Sequence, residues 1–139
     1  MVANFVLDPQ LAKDSEFIAD LSLCTVRLIN DANYPWLILV PMVANISEVI
    51  HLSEQQQQTL WQESAFISRV ITQLFTPDKL NIAALGNMVP QLHLHHIARY
   101  KDDMSWPKPI WGQYPAKGYC DHVLQQRIAL IQKAITKGI

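Results

Sequence analysis

The sequence predicts an α+β fold in which an antiparallel sheet carries helices on one face. Two observations lead to it: short apolar segments with strand periodicity before and after residues 54–75, and amphipathic helical patterns over that segment and near the end of the chain. Strands and helices that are segregated in this way pack as two layers around one core. We expect one domain over residues 1–139, with its core at 20–100 and a C-terminal loop and helix at 101–139.

Four segments have the character of strands. Cys24 to Ile29 alternates in polarity. Trp36 to Val40 is a continuous apolar run between two prolines, which is typical of a central strand covered on both faces. Leu80 to Leu85 and Leu92 to Ile97 are separated by a short turn-forming stretch at 86–90. These four segments predict most of the sheet.

Two segments predict helices. Glu54 to Phe75 has apolar residues recurring on one face, and Ser53 with Gln56 has the spacing of a capping box at its start. The second helix runs from Asp121, which can cap its start, through apolar residues at helical spacing to Gly138. We expect both helices to pack on the same face of the sheet.

The segment from Asp102 to Tyr119 is rich in proline and glycine and is predicted to be irregular. It contains four aromatic residues, which are too many for a solvated tail: Trp106, Trp111, Tyr114 and Tyr119. We therefore expect this segment to lie against the body of the protein or against a second subunit.

Composition excludes several classes of function. The chain has 11 basic and 12 acidic residues and no Lys/Arg cluster, so it lacks the charge pattern of a nucleic-acid-binding protein. Its longest apolar run is too short to span a membrane, and its two cysteines form no close-spaced motif. We expect a cytoplasmic protein without a nucleic-acid or membrane partner. Because half of the residues are apolar and 17% are charged, a partner subunit is also expected.

The chemistry-bearing segment runs from Val89 to Arg99. In a strand, Gln91, His93 and His95 project from one face together with Arg99. The two imidazoles then stand about 6.6 Å apart along the strand. This spacing suits a metal chelate, and it equally suits a nucleophilic histidine beside a second one that handles protons and phosphate charge.

The order of these residues resembles the motif of the histidine triad (HIT) family, His-φ-His-φ-His-φ-φ, where φ is apolar. The matching stretch is Gln91 to Ile97, with Val89-Pro90 ahead of it and Arg99 behind. Upstream, residues 28–31 and 34–41 are similar to the family's nucleoside-binding strand, turn and following strand. The resemblance covers roughly residues 20–100 and implies a HIT-like antiparallel sheet with a long helix and a C-terminal helix.

The resemblance implies a metal-independent hydrolase or transferase that needs no cofactor. It would cleave at the α-phosphate of a purine nucleotide, such as diadenosine tetraphosphate or a nucleoside phosphoramidate, through a nucleotidyl-histidine intermediate. His93 would be the nucleophile, held in one tautomer by a hydrogen bond at its other ring nitrogen. His95 would contact phosphate, and Gln91 would donate an amide hydrogen in place of the first histidine. The family also implies a homodimer whose pairing extends the sheet.

The same resemblance implies two groups of binding residues. Those expected to bind phosphate are Asn81, Gly86 and Asn87. Those expected to bind the nucleoside are Asn30, Asp31 and Trp36.

The sequence departs from the family pattern at Gln91 and also at Met88, where a Ser or Thr is usual, and Trp36, where a His is usual. The alternative function is therefore a catalytically weak nucleotide-binding or sensor protein on the same fold. A third hypothesis is a metal protein that uses His93, His95 and a remote ligand such as His51, but no acidic residue at ligand spacing supports it.

Overall fold

The computed structural model describes residues 4–138, which form a five-stranded antiparallel sheet with two long helices on one face. The strand order is β1-β2-β3-β5-β4, and β1 and β4 are the edges. The elements in chain order are α1 (Pro9–Asp14), β1 (Ser15–Asp20), β2 (Cys24–Ile29), β3 (Trp36–Pro41), a 3-10 turn (Val49–His51), α2 (Glu54–Phe75), β4 (Lys79–Ala83), β5 (Leu94–Arg99) and α3 (Asp121–Lys137). This architecture confirms the predicted α+β class.

The strongest periodic patterns match the observed elements closely. β2 and α2 have the predicted bounds, and the capping box of α2 is formed: Ser53 Oγ accepts from the Gln56 N–H at 3.1 Å, while Gln56 Oε1 accepts from the Ser53 N–H at 2.9 Å. The last strand differs, since β5 begins at Leu94 and not at Leu92. This two-residue shift removes Gln91 and His93 from the regular alternation of the strand.

Besides the 3-10 turn, one α-helix and one strand were not predicted. α1 spans six residues, which is less than two turns and too short to show helical periodicity. β1 contains an irregularity between Phe17 and Ala19, where its register with β2 shifts. A bulge of this kind interrupts the alternation by which a strand is recognised in a sequence.

The two faces of the sheet are covered differently. The main core lies on the face that packs against α2 and α3 and includes Val26, Leu39 and Leu94 from the strands. On the opposite face, Leu11 of α1 packs against Ile38 and Val40. α1 therefore covers part of this second face.

The irregular segment 102–119 lies against the body of the protein, which is one of the two arrangements expected from the sequence. Ile110 packs with Tyr34 and Ile97 on the second face of the sheet. Arg99 fixes the start of the segment through an ion pair with Asp103, in which Arg99 Nε lies 2.8 Å from Asp103 Oδ2. The buried surroundings hold an otherwise irregular backbone in one place.

Across residues 4–138, no helix is both long and apolar enough to cross a lipid bilayer.

Candidate functional site

A cavity of about 620 Å³ opens on the second face of the sheet. It lies between α1, the loop that precedes β5, and the irregular segment. Six residues predicted for the site line it: Asn30, Trp36, Gly86, Asn87, His93 and His95. The fold thus brings both histidines and most of the predicted binding residues into one concave surface.

His93 is held by its own backbone. Its Nδ1 lies 2.7 Å from the carbonyl oxygen of Gln91, and both the ring and that carbonyl belong to the bend just before β5. A carbonyl can only accept, so Nδ1 carries the hydrogen. In the neutral ring, Nε2 then has a free lone pair, and the side chain is buried except for its face on the cavity.

His95 is held in the opposite tautomer by a neighbouring strand. The indole Nε1–H of Trp36, on β3, donates to His95 Nδ1 at 3.0 Å, so the ring hydrogen resides on Nε2. Burial, followed by the proximity of His93 and His96, lowers the pKa of His95 from 6.5 to about 3. His95 is therefore a neutral ring that presents an N–H donor.

The two imidazoles pack edge to face, with ring centroids 4.8 Å apart and planes at 71°. Trp111, from the irregular segment, contacts the other side of His95 with ring centroids 5.2 Å apart. It also meets Trp36 edge to face at 6.3 Å. This aromatic enclosure fixes the orientation of His95 and gives the cavity an apolar wall.

The loop from Gly86 to Val89 forms the wall facing these aromatics. Gly86 has a φ of +75°, a left-handed conformation that glycine adopts without strain and that turns the chain into the cavity. Asn87 and Met88 are exposed there. Within residues 4–138, none of the N–H groups of this loop has a hydrogen-bond partner, so they are available to an anion.

Gln91 does not reach the cavity, contrary to the expectation that it would act beside His93. Its Oε1 accepts from the Asp8 N–H at 2.8 Å, and its Nε2 donates to the Val6 carbonyl at 2.9 Å. The physical reason is that regular pairing of β5 starts only at Leu94, so strand alternation does not govern the direction of the Gln91 side chain.

Two further predicted residues lie outside the cavity. Asn81 sits on the edge strand β4, where its Oδ1 accepts from Arg99 Nη1 at 2.8 Å. Asp31 is buried, and its carboxylate accepts from the backbone of Asn33 and Lys117. Both side chains are used in internal hydrogen bonds that fix the backbone around the site.

Asn30 lines the cavity and also supports the irregular segment. Its Oδ1 accepts from the Tyr119 N–H at 2.9 Å, and its amide N–H groups are available to other partners. The role expected for Asn30, contact with a nucleoside, remains a prediction.

The remaining histidines make structural hydrogen bonds. His96 is buried on the helix side of β5, where its Nδ1 donates to Leu94 O and its Nε2 accepts from Ser64 Oγ at 2.7 Å. His51 Nδ1 accepts from the backbone N–H groups of Ser47 and Glu48. In the part of the chain that the structure describes, no three His, Cys, Asp or Glu side chains are grouped to hold a metal ion.

Sequence reasoning missed several residues of the cavity. Leu11, Lys13 and Asp14 come from α1, which is too short to be recognised from periodicity. Trp111 was expected mainly to pack, with coverage of a nucleobase or of a dimer partner as the lesser alternative, and its position beside His95 was not expected. Lys13 adds a cation to a site in which only neutral donors were expected.

Comparison with protein families gives one match: the HIT domain model matches residues 10–102. That range begins in α1 and ends just after β5, so it includes the sheet and both histidines. No curated protein matches the sequence significantly.

Solved structures agree with the family match. A histidine triad protein from Marinobacter aquaeolei VT8 is 44% identical, with a TM-score of 0.94 over 99% of this chain and 100% of that one. A histidine triad protein from Bradyrhizobium japonicum is 43% identical, with a TM-score of 0.93 over 96% and 99% of the two chains. The fold is also shared with a diadenosine triphosphate hydrolase from Plasmodium falciparum, at 14% identity and a TM-score of 0.68 over 98% of this chain and 84% of that one.

Proposed function

Because the chain belongs to the HIT domain family, we propose that it is a metal-independent hydrolase or transferase acting at the α-phosphate of a purine nucleotide. The substrate is a dinucleoside polyphosphate, such as diadenosine tetraphosphate, or a nucleoside phosphoramidate. The fold shared with a diadenosine triphosphate hydrolase supports the first of these classes.

The observation that carries this proposal is the state of the two cavity histidines. His93 has its Nδ1 committed to a carbonyl and therefore offers the lone pair of Nε2. His95 has its Nδ1 committed to an indole N–H and therefore offers a hydrogen on Nε2. A nucleophile and a hydrogen-bond donor thus stand side by side, which is the pair that phosphoryl chemistry through a covalent histidine requires.

In the first step, the Nε2 lone pair of His93 attacks the α-phosphorus in line with the leaving group. The new N–P bond forms as the bond from phosphorus to the remaining phosphates, or to the amine, breaks. Its electron pair departs with the leaving group, and a leaving amine takes up a proton from the solvent. In the second step, water attacks phosphorus, the N–P bond breaks, and its electron pair returns to Nε2. Nucleoside monophosphate is released, and the water proton passes to the solvent.

The donors for the α-phosphate oxygens are the His95 Nε2–H, the Asn87 amide and the free backbone N–H groups of the Gly86 to Val89 loop. Such preorganised donors stabilise charge as it shifts during the transfer. The nucleoside lies along the apolar wall formed by Ile29, Trp36 and Trp111. Aromatic faces suit a purine ring, because stacking contributes about 1–3 kcal/mol per base.

The direct test is release of AMP from diadenosine tetraphosphate and from an adenosine phosphoramidate, with and without a chelator. We expect turnover that is insensitive to the chelator and that disappears in His93→Ala. Turnover that the chelator abolishes would contradict the proposal and support a metal-dependent reaction.

The alternative is a catalytically weak nucleotide sensor on the same fold. Two observations favour it: the Gln91 carboxamide is committed to the N-terminal backbone, and Met88, 93% exposed, places a thioether where the family has a hydroxyl donor. Tight nucleotide binding without AMP release in the same assay would establish this alternative.

The protein is also proposed to act as a cytoplasmic homodimer. β4 is an edge strand with one side unpaired within residues 4–138, and Trp61 on α2 is half exposed. An edge of this kind can pair with a second copy and extend the sheet. The described chain contains two free cysteines, one buried and one exposed, which suits a reducing compartment.

A further inference from the structure

The N-terminal arm, residues 5–14, forms one wall of the cavity and is attached to it at two points. The Gln91 carboxamide bonds the backbone of Val6 and Asp8, using one acceptor and one donor. Farther along, Leu11 is buried against Ile38 and Val40. Two separate contacts, one polar and one apolar, fix the position of α1 beside His93.

α1 brings a positive charge to the cavity. Lys13 is the single Lys or Arg that lines it within residues 4–138, and it forms no salt bridge with any carboxylate in that range. Its neighbour Asp14, which also lines the cavity, accepts a hydrogen bond from Gln10 Nε2 at 2.9 Å. Lys13 therefore faces the cavity as a cation without an internal counter-ion.

The α-phosphate does not need this cation, because His95, Asn87 and the free loop N–H groups that line the same cavity can supply its hydrogen-bond donors. A lysine ammonium binds phosphate as a point charge and tolerates varied geometry. Such a group suits the part of a substrate that changes position and departs, which is the leaving group.

We propose that Lys13 binds a second anionic group of the substrate, the phosphate next to the α-phosphate, and that Gln91 is a positioning residue that holds the arm carrying Lys13. The substrate class that follows is a nucleotide with a phosphoanhydride, in preference to one with a neutral amine as its leaving group. This inference rests on the proposed function.

The test compares the binding of AMP and ADP by calorimetry in a His93→Ala background, where no turnover interferes. We expect ADP to bind about tenfold more tightly than AMP, in line with the strength of a charge-assisted contact. Lys13→Met should remove this preference and leave AMP binding within about twofold. Asp14→Asn should increase the preference, because it removes a negative charge from the same wall.

Two further variants test whether the ADP preference depends on the position of the N-terminal arm or on any change in the charge or folding of the protein. Gln91→Ala should reduce the ADP preference as Lys13→Met does, with AMP affinity and the melting temperature recorded to show that the site is still folded. Lys133→Met removes an exposed lysine on α3, on the opposite face of the sheet, and should change nothing.

Equal affinity for AMP and ADP in the His93→Ala protein, or a preference that survives Lys13→Met, would overturn the inference. Either result leaves the proposed function standing if the wild type releases AMP. Conversely, an ADP preference that depends on Lys13 in a protein without turnover would support this inference and refute the hydrolase.

Discussion

At the scale of single residues, the two cavity histidines show how hydrogen-bond partners assign chemical roles. Both imidazoles line the same cavity. Nδ1 of His93 donates to a carbonyl, whereas Nδ1 of His95 accepts from an indole N–H. The partners leave a lone pair on one ring and a hydrogen on the other. Nucleophile and donor are therefore distinguished by the neighbours of each ring and not by residue type.

These roles predict different losses on substitution. His93→Ala removes the covalent path and should lower kcat by several orders of magnitude. His95→Ala removes one donor and should lower kcat by about 10²- to 10³-fold. Steady-state AMP release measures both, and equal losses in the two variants would contradict the assignment. Because the pKa of His95 is about 3, its protonation should not reduce kcat at any pH above about 5.

Acid stability should depend on His96. Burial, opposed by the hydrogen bond to Leu94, lowers its pKa from 6.5 to about 4. The unfolded chain takes up this proton near pH 6.5 and the folded chain only near pH 4, so stability is lost as pH falls through that window. We expect a loss on the order of 3 kcal/mol from this residue between pH 7 and 4. The free energy of unfolding, measured in urea, should depend less steeply on pH in His96→Gln than in the wild type. An equal slope in the two proteins would contradict the role of His96.

The sequence predicted His93 and His95 in one site, and both side chains line the same cavity. The chemical roles expected for them stay predictions. Gln91 and Asp31 were also expected there, but each side chain bonds backbone groups that are distant in sequence, at Val6 and at Lys117. No local pattern in the sequence shows such long-range partners, so these residues could not have been placed correctly.

At the scale of elements, a buried ion pair anchors the start of the irregular segment 102–119. Arg99 and Asp103 side chains are only 2% and 7% exposed, and Arg99 also bonds Asn81. The Arg99 guanidinium lies 5.8 Å from the ring centroids of both Tyr34 and Trp106. Through this cluster, the segment that carries Trp111 is fixed to the sheet.

Arg99→Met should therefore destabilise the protein by about 3 kcal/mol, because it leaves the Asp103 carboxylate partly buried without its cation. The Trp111 contact with His95 should loosen as well. Urea unfolding measures the first effect and tryptophan fluorescence the second. The control is Arg69→Met on α2, because the Arg69 side chain is exposed and makes no salt bridge within residues 4–138, so this change should cost less than about 1 kcal/mol. Similar losses in both variants would argue against a special role for Arg99.

The elements that the sequence predicted best are those with long regular patterns. α2 has 22 residues and a capping box, and β2 alternates cleanly, so both were located to the residue. α1 and β1 were missed because a six-residue helix and a bulged edge strand carry little periodicity. Since α1 forms a wall of the cavity, its omission also concealed Lys13.

At the scale of the whole molecule, the two faces of the sheet have different roles. The face packed on α2 and α3 holds the main apolar core, and the opposite face holds the cavity with its histidines. β5 connects the two, because Leu94 and Ala98 face the core while His95 faces the cavity. Substitutions on the helix face should consequently lower the free energy of unfolding more than they change nucleotide affinity.

The unpaired edge at β4 predicts a homodimer. Light scattering at micromolar concentration should give twice the 15.9 kDa mass of one chain. Backbone amides of β4 that do not pair with β5 should also exchange slowly with deuterium, because a second copy would bond them. A 15.9 kDa species with fast exchange along this edge would contradict the dimer.

Trapping of the covalent intermediate tests the central claim most directly. Brief exposure of the protein to diadenosine tetraphosphate labelled with ³²P at the α-phosphate, followed by rapid denaturation, should leave label on the chain. The bond should be labile in acid and stable in base, as a nucleotidyl-histidine requires. Peptide mapping should place the label on His93, and His93→Ala should carry none. Label on another residue, or equal labelling of His93→Ala, would contradict the assignment of His93 as the nucleophile.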